Sequence, residues 1–341
     1  MKSFGLKTFA AIATLSLAAG SVTANELRTT AKSLFGSVTA ASKKEINDPK
    51  ALLGQALFWD MRLSSNGKVA CASCHYQENW GSDERPRSIN ARGGKTLQSQ
   101  TVFHSQDTPG LRWLADRASG AAQAMGSITG SMGFAKREDI LPVMEKFGYV
   151  ELFQKAFPGE ATAMSVENYG KALEAYQRTL RTPAPFDKWL NGDDKALTAV
   201  QKKGLENFIN VGCVGCHRGS LIGGDMLQRF GIVDNYWSHT GSADIDSGLM
   251  KNTGKEEDRF FFRVPLLRNI AKTQPYFHDG SVADLKKATD IMAKVQLGQT
   301  LDDNTLNELV AFMESLTGNI PVNFVAPAGI PFELPEGVKK K

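Results

Sequence analysis

The sequence predicts an all-α protein of two similar domains, each built from short helices around a long irregular loop. Three observations lead there. The pentapeptide Cys71-Ala72-Ser73-Cys74-His75 recurs as Cys213-Val214-Gly215-Cys216-His217, late enough in the chain to open a second unit. Each copy follows a run with apolar residues at helical spacing and is followed, after an irregular stretch, by another such run. The length, 341 residues, suits about two domains of ~150 residues each.

From the N-terminus, Lys2 and Lys7 precede an apolar run from Phe9 to Ala19, and Val22-Thr23-Ala24 supplies small residues for cleavage. Residues 1–24 therefore read as a secretory signal peptide, which implies export to the periplasm and a mature chain starting near Asn25. No later stretch approaches membrane-spanning length. Asp48-Pro49 is an N-cap followed by proline at the first helical position, and Leu53, Ala56 and Leu57 make one apolar face. That helix leads through Trp59 and a Ser64-Ser65-Asn66-Gly67 turn into the first pentapeptide. From Tyr76 to Gly133 periodicity is weak, and so long an irregular stretch is usually functional or wrapped around something. Helical spacing returns after Ser165 in Val166, Tyr169, Leu173, Tyr176 and Leu180. Thr182-Pro183-Ala184-Pro185 breaks it and divides the mature chain into domains at 25–184 and 185–320. In the second unit Thr198-x-x-Gln201 resembles a capping box, and Val200, Leu205, Phe208 and Ile209 form the face of a helix that turns into Cys213. Leu306, Leu309, Val310, Met313 and Leu316 mark a final amphipathic helix with Gly318 at its C-cap. Residues 321–341 are Pro-rich without periodicity and predict an extended tail over the surface.

Cys-x-x-Cys-His is the attachment signature of a c-type haem: the two thiols add across the haem vinyl groups and the His becomes an iron ligand. The two motifs use all four cysteines, so two covalent haems, held by Cys71, Cys74 and His75 and by Cys213, Cys216 and His217, are the economical reading. A zinc knuckle would need four ligands at short spacing, and the second pair is far away. A thioredoxin-like pair should open a helix after a strand, and nothing before Cys71 reads as a strand. Helix, haem motif, irregular wrap and closing helix is the plan of a cytochrome c-like domain, and it occurs twice. The formal net charge is +4, of which the leader's two lysines supply half. With no basic run and no aromatic–basic interleaving, nucleic acid is not an expected partner.

The C-terminal half carries a denser signal. Phe262-Arg263-Val264-Pro265-Leu266-Leu267-Arg268-Asn269-Ile270 and Thr273-Gln274-Pro275-Tyr276-Phe277-His278-Asp279-Gly280-Ser281 strongly resemble bacterial dihaem cytochrome c peroxidases. So do the run Leu285 to Leu297 and, before the first motif, Leu53-Gly54-Gln55-Ala56-Leu57-Phe58 through Arg62-Leu63-Ser64. The wider superfamily includes the MauG-type enzymes, which oxidise residues of a partner protein. The resemblance implies reduction of H2O2 to water at the N-terminal haem. Electrons from a small cytochrome c or cupredoxin would be received at a C-terminal haem with His and Met ligands. Met292 falls at the axial Met position, with His278 its rival; a core methionine is the plain alternative. Trp113 aligns with the Trp between the two haems of relatives. Gln98, Thr273 and Pro275 match a Ca²⁺ site, with Gln98 in place of the family's Asn. Arg268 and Asp279 are expected to anchor loops or propionates, and homodimers are common in the family.

Two departures stand out on the N-terminal side. The family's removable distal His would fall at Ala91 or Asn90, and no histidine lies between His75 and His104. The family's distal Glu has no counterpart: no Asp or Glu occurs between Asp116 and Glu138, and Ser131 stands about where it should be. His104 is a candidate acid–base group or distal ligand, against the alternative of a hydrogen-bonded histidine in a packed loop. Gln123 matches a family Gln near the distal pocket. Three readings stay open: a peroxidase, a MauG-type enzyme acting on a partner protein, and a dihaem electron carrier without catalysis. His239 and Trp237 lie in a segment with no match.

Overall fold

The computed structural model describes residues 24–336 and 338. The expected leader, but for its last residue, lies outside the described residues. In chain order the helices of the first half are α1 (Ala24–Leu34), α2 (Lys43–Ile46), α3 (Pro49–Trp59), α4 (Gly120–Thr129), α5 (Ile140–Lys146), α6 (Val150–Ala156) and α7 (Val166–Arg178). The second half adds α8 (Pro185–Leu190), α9 (Ala199–Asn210), α10 (Tyr236–Thr240), α11 (Met250–Thr253), α12 (Leu285–Leu297) and α13 (Asp303–Glu314). One small antiparallel ribbon, β1 (Leu227–Arg229) against β2 (Phe261–Arg263), pairs Leu227 with Arg263. Among the described residues no helix is long and apolar enough to cross a membrane.

The caps read from sequence are formed. Asp48 accepts from the Lys50 N–H at 2.8 Å, and Thr198 and Gln201 close a reciprocal capping box. The last helix ends differently. It stops at Glu314 with Ser315 as C-cap. Gly318 instead accepts the interdomain linker, because a Cβ there would overlap the Thr182 carbonyl.

The two units share a crossing motif. Gly54 of α3 lies against Ala172 and Tyr176 of α7, and Gly204 of α9 lies against Glu308 and Phe312 of α13. In both pairs the contacts on the second helix are four residues apart, one turn along the same face. A Cβ on Gly54 would overlap the Ala172 carbonyl oxygen, and one on Gly204 the Glu308 carbonyl oxygen. The helix backbones therefore touch directly. Gly→Ala in a helix interior normally stabilises by ~0.5–1 kcal/mol. Here Gly204→Ala is expected to destabilise by roughly 1–3 kcal/mol, since a backbone clash cannot be relieved by a rotamer change. The midpoint of urea unfolding checks the sign.

The cores do not respect a cut at residue 184. Leu27, Ala31 and Phe35, from α1 and just after it, are buried with Phe186, Leu205, Phe208 and Phe312 of the second unit. The tail returns the exchange. Phe324 is fully buried in the first unit's core, its ring 4.8 Å from Phe103 and 5.2 Å from Trp59. Gln55 donates to the carbonyls of Asn323 and Val325, and Tyr176 donates to that of Asn323. The tail expected on the surface is extended, yet it inserts an aromatic side chain because the α3–α7 pair leaves an aromatic socket.

Candidate functional site

Each Cys-x-x-Cys-His sits on a single 3-10 turn, Cys71–Ser73 or Cys213–Gly215, that brings both thiols and the imidazole to one cavity. A cavity of about 400 Å³ is bordered by Cys71, Cys74 and His75, and one of about 210 Å³ by Cys213, Cys216 and His217. The irregular Tyr76–Gly133 stretch wraps the first, supplying Asn90, Thr96, Gln100 and Leu111 to its wall.

Each imidazole is oriented by a backbone carbonyl. His75 Nδ1 donates to the Gly81 carbonyl at 3.0 Å and His217 Nδ1 to that of Ile222 at 3.3 Å, which leaves each Nε2 with a free lone pair. Burial pushes both below the usual histidine range, His217 to about 4, so both are neutral, the form that binds metal. The cysteines form no disulfide. Burial raises Cys71 to about 12 and Cys74 and Cys213 to about 11, opposite to the lowered values of redox-active pairs. Among the described residues no group of three or more His, Cys, Asp or Glu side chains is arranged to hold a metal ion. Two thiols and one neutral imidazole at each cavity fit a c-type haem, and neither a zinc knuckle nor a dithiol.

The other predicted residues divide. Gln123, on α4, borders the first cavity, as does Ser131, whose carbonyl is bonded by the Ala91 N–H. Among the described residues no carboxylate borders that cavity. Met292, on α12, borders the second cavity together with His278, whose ring stacks on Phe262 at 4.2 Å. Trp113 borders both cavities, and its indole N–H donates to the Gln98 carbonyl at 2.8 Å. Gln98, Thr273 and Pro275 all border the second cavity. Sequence reasoning missed a neighbour of that group, Asn79. It is fully buried, donates to the Gln274 carbonyl at 3.1 Å and leaves Oδ1 without a hydrogen-bond partner. Its place in the loop just after the first motif was the available signal.

His104 is not brought to either cavity. Its Nε2 accepts from the Thr182 N–H at 3.0 Å and lies 2.9 Å from the Thr182 hydroxyl, at the linker between the units. The packed-loop alternative describes its bonds. Burial, with Arg268 nearby, pushes the imidazole down to about 3. Between pH ~6.5 and ~3 the unfolded chain binds a proton that the folded chain excludes. His104 therefore costs about 1.4 kcal/mol of stability per pH unit of acidification in that window, and nothing above it. His104→Gln, which keeps an acceptor, is expected to flatten the loss of stability between pH 6 and pH 4, read by urea titration at each pH.

Comparison with known proteins matches this geometry. Residues 48–195 match the profile of the family described as di-haem cytochrome c peroxidase. The chain is 37% identical to the cytochrome c551 peroxidase of Pseudomonas aeruginosa, over 90% of this chain and 91% of that one. It is 28% identical to the methylamine utilization protein MauG of Methylophilus methylotrophus, over 83% and 86%. A crystal structure of a MauG-like protein associated with microbial copper homeostasis superposes with a TM-score of 0.73 at 25% identity, covering 86% of this chain and 98% of that one. With its two matched motif cavities and its likeness to the Pseudomonas enzyme along nearly the whole chain, this protein belongs to the di-haem cytochrome c peroxidase family.

Proposed function

We propose that this protein is a periplasmic dihaem oxidoreductase that reduces H2O2 to water with electrons from a small cytochrome c or cupredoxin. The observation that carries it is the pair of adjacent motif cavities with different second walls. One is bordered by Met292 and a second imidazole, His278, besides His217; the other is bordered by amides, hydroxyls and the Met132 thioether, with no second imidazole among the described residues. Cys71 and Cys74, and Cys213 and Cys216, would hold the haems as thioethers, and His75 and His217 would be the ligands on the attached side. When bound, the haems supply the redox chemistry, two electrons and two protons converting one H2O2 into two waters. Thioether ligation by Met292 would raise the potential of the second centre and close it to substrate, as suits an electron-receiving site. Trp113, shared by both walls, would shorten the path between them.

At the first cavity Gln123 would hydrogen-bond peroxide, and the hydroxyls of Ser127 and Ser131 would hold water nearby. A proton would then come through water, because no carboxylate is present to relay it. Gln98, Thr273 and Pro275, with Asn79 beside them, would take Ca²⁺ through uncharged oxygens.

The same lack of a carboxylate, with the likeness to MauG, supports a second reading: slow peroxide turnover and oxidation of a partner protein. Stopped-flow absorption of the oxidised protein with stoichiometric H2O2, and electron paramagnetic resonance of the starting state, decide among the readings. A high-spin starting signal, a fast spectral change and steady turnover of a reduced small cytochrome support the peroxidase. A fast change without donor turnover supports the second reading. Two low-spin signals and no reaction, even after one-electron reduction, would leave an electron carrier.

A further inference from the structure

We propose that Arg263 binds a propionate carboxylate from each of the two haems and is the electrostatic link between them. The proposal rests on the dihaem reading above. Arg263 ends β2 and is only 4% exposed, yet it borders both cavities. Its backbone N–H donates to the Trp113 carbonyl at 2.6 Å, which fixes it beside the residue shared by the two walls. Nε donates to the Arg112 carbonyl at 3.0 Å and one guanidinium NH2 group to Gln100 Oε1 at 2.7 Å. The other, Nη1, is buried without a partner, and no carboxylate offsets the charge among the described residues.

That arrangement is unfavourable as it stands. A buried cation without a counter-charge costs several kcal/mol, and burial alone pushes this guanidinium down to about 10. Arg268 shows the contrast: it is equally buried, but Asp187 meets it with both carboxylate oxygens. The fold therefore holds Arg263 as a positioned cation that lacks an anion, between the two cavities that fit haem. Haem carries its propionates as its only anionic side groups, and a guanidinium fork matches carboxylates in geometry as well as charge. Both remaining partners of Arg263 are neutral oxygens that orient the fork without neutralising it.

The test uses the haem-loaded protein with Arg263→Met and Arg263→Lys. A pyridine haemochrome assay first establishes two covalent haems per chain; fewer in the wild type would overturn the dihaem reading itself, and the proposal with it. Resonance Raman spectra at a potential that leaves one haem ferrous and the other ferric then read the propionate bending band of each haem separately. Arg263→Met is expected to shift both bands and lower both midpoint potentials, since a cation beside a ferric haem disfavours the ferric state. The expected size is about a tenfold change in the ferric-to-ferrous ratio at fixed potential, ~59 mV for a one-electron couple. Arg263→Lys keeps the charge and loses the fork, so its potentials should stay nearer wild type while both bands still move. Should Arg263→Met fail to fold, the Lys bands decide alone. A band that stays put for either haem, with both haems attached, would overturn the proposal and leave a free anion as the counter-charge.

Discussion

Arg268→Met is expected to destabilise the haem-loaded protein by about 3–5 kcal/mol, the usual loss when one partner of a buried ion pair is removed. Arg268 is fully buried. Its Nη1 and Nη2 donate to the two oxygens of Asp187 at 2.7 and 2.8 Å, and its Nε donates to the Ser220 carbonyl at 2.6 Å. Asp187 also accepts from the Val38 N–H, on the segment after α1, and from the Ala184 N–H in the linker. One pair thus ties the segment after α1, the linker, α8 and the loop that follows β2. Without the guanidinium, Asp187 is left as a buried carboxylate with only backbone donors. The double variant Asp187→Asn with Arg268→Met should lose clearly less than the sum of the single changes, because neither charge is then stranded. Urea unfolding followed by far-ultraviolet circular dichroism measures both; a single-variant loss below about 1 kcal/mol would contradict the account.

The second large effect concerns Met292. Replacing it with alanine is expected to remove the sulfur–iron charge-transfer absorption and to lower the midpoint potential of the second haem, since a Met ligand raises it. A drop of ~59 mV would make reduction by a given donor about tenfold less favourable. Donor-dependent peroxide turnover should fall accordingly, while single-turnover reaction with peroxide at the first haem is kept. His278 is the competing candidate on the same wall, with its buried Nε2 unpartnered. The charge-transfer band should survive His278→Gln. Absence of the band from the wild type, with a bis-histidine low-spin signal that His278→Gln removes and Met292→Ala keeps, would exchange the two roles.

The fold was legible where local chemistry is loud. Caps at Asp48 and Thr198, the helical spacing after Ser165 and the two pentapeptides placed α3, α7, α9 and both motif turns. It was silent at α4, which contains Gly120 and Gly126 and so has weak helix propensity. That helix exists because it packs closely on α7, where Gly170 meets the Ala121 carbonyl. The ribbon of β1 and β2 was equally unreadable, being three residues a side and set by distant contacts. For the site, the resemblance named Trp113, Met292 and Gln123, and all three border the cavities. It could not place His104, because a histidine three residues after Thr101 reads the same whether it turns to a cavity or to Thr182. Arg263 lay within a quoted motif and was given no role, since nothing in a sequence shows that an arginine is buried without an acid.

The exchange of chain ends bears on how the molecule is made. Chains are synthesised from the N-terminus, and domains generally fold in that order. Here the first unit cannot complete its core until Phe324 arrives, close to the end of the chain. On the proposed export and haem attachment, Cys71 and Cys74 therefore belong to a unit whose core stays open until residue 324 has crossed the membrane, and both thiols stay within reach of haem until then.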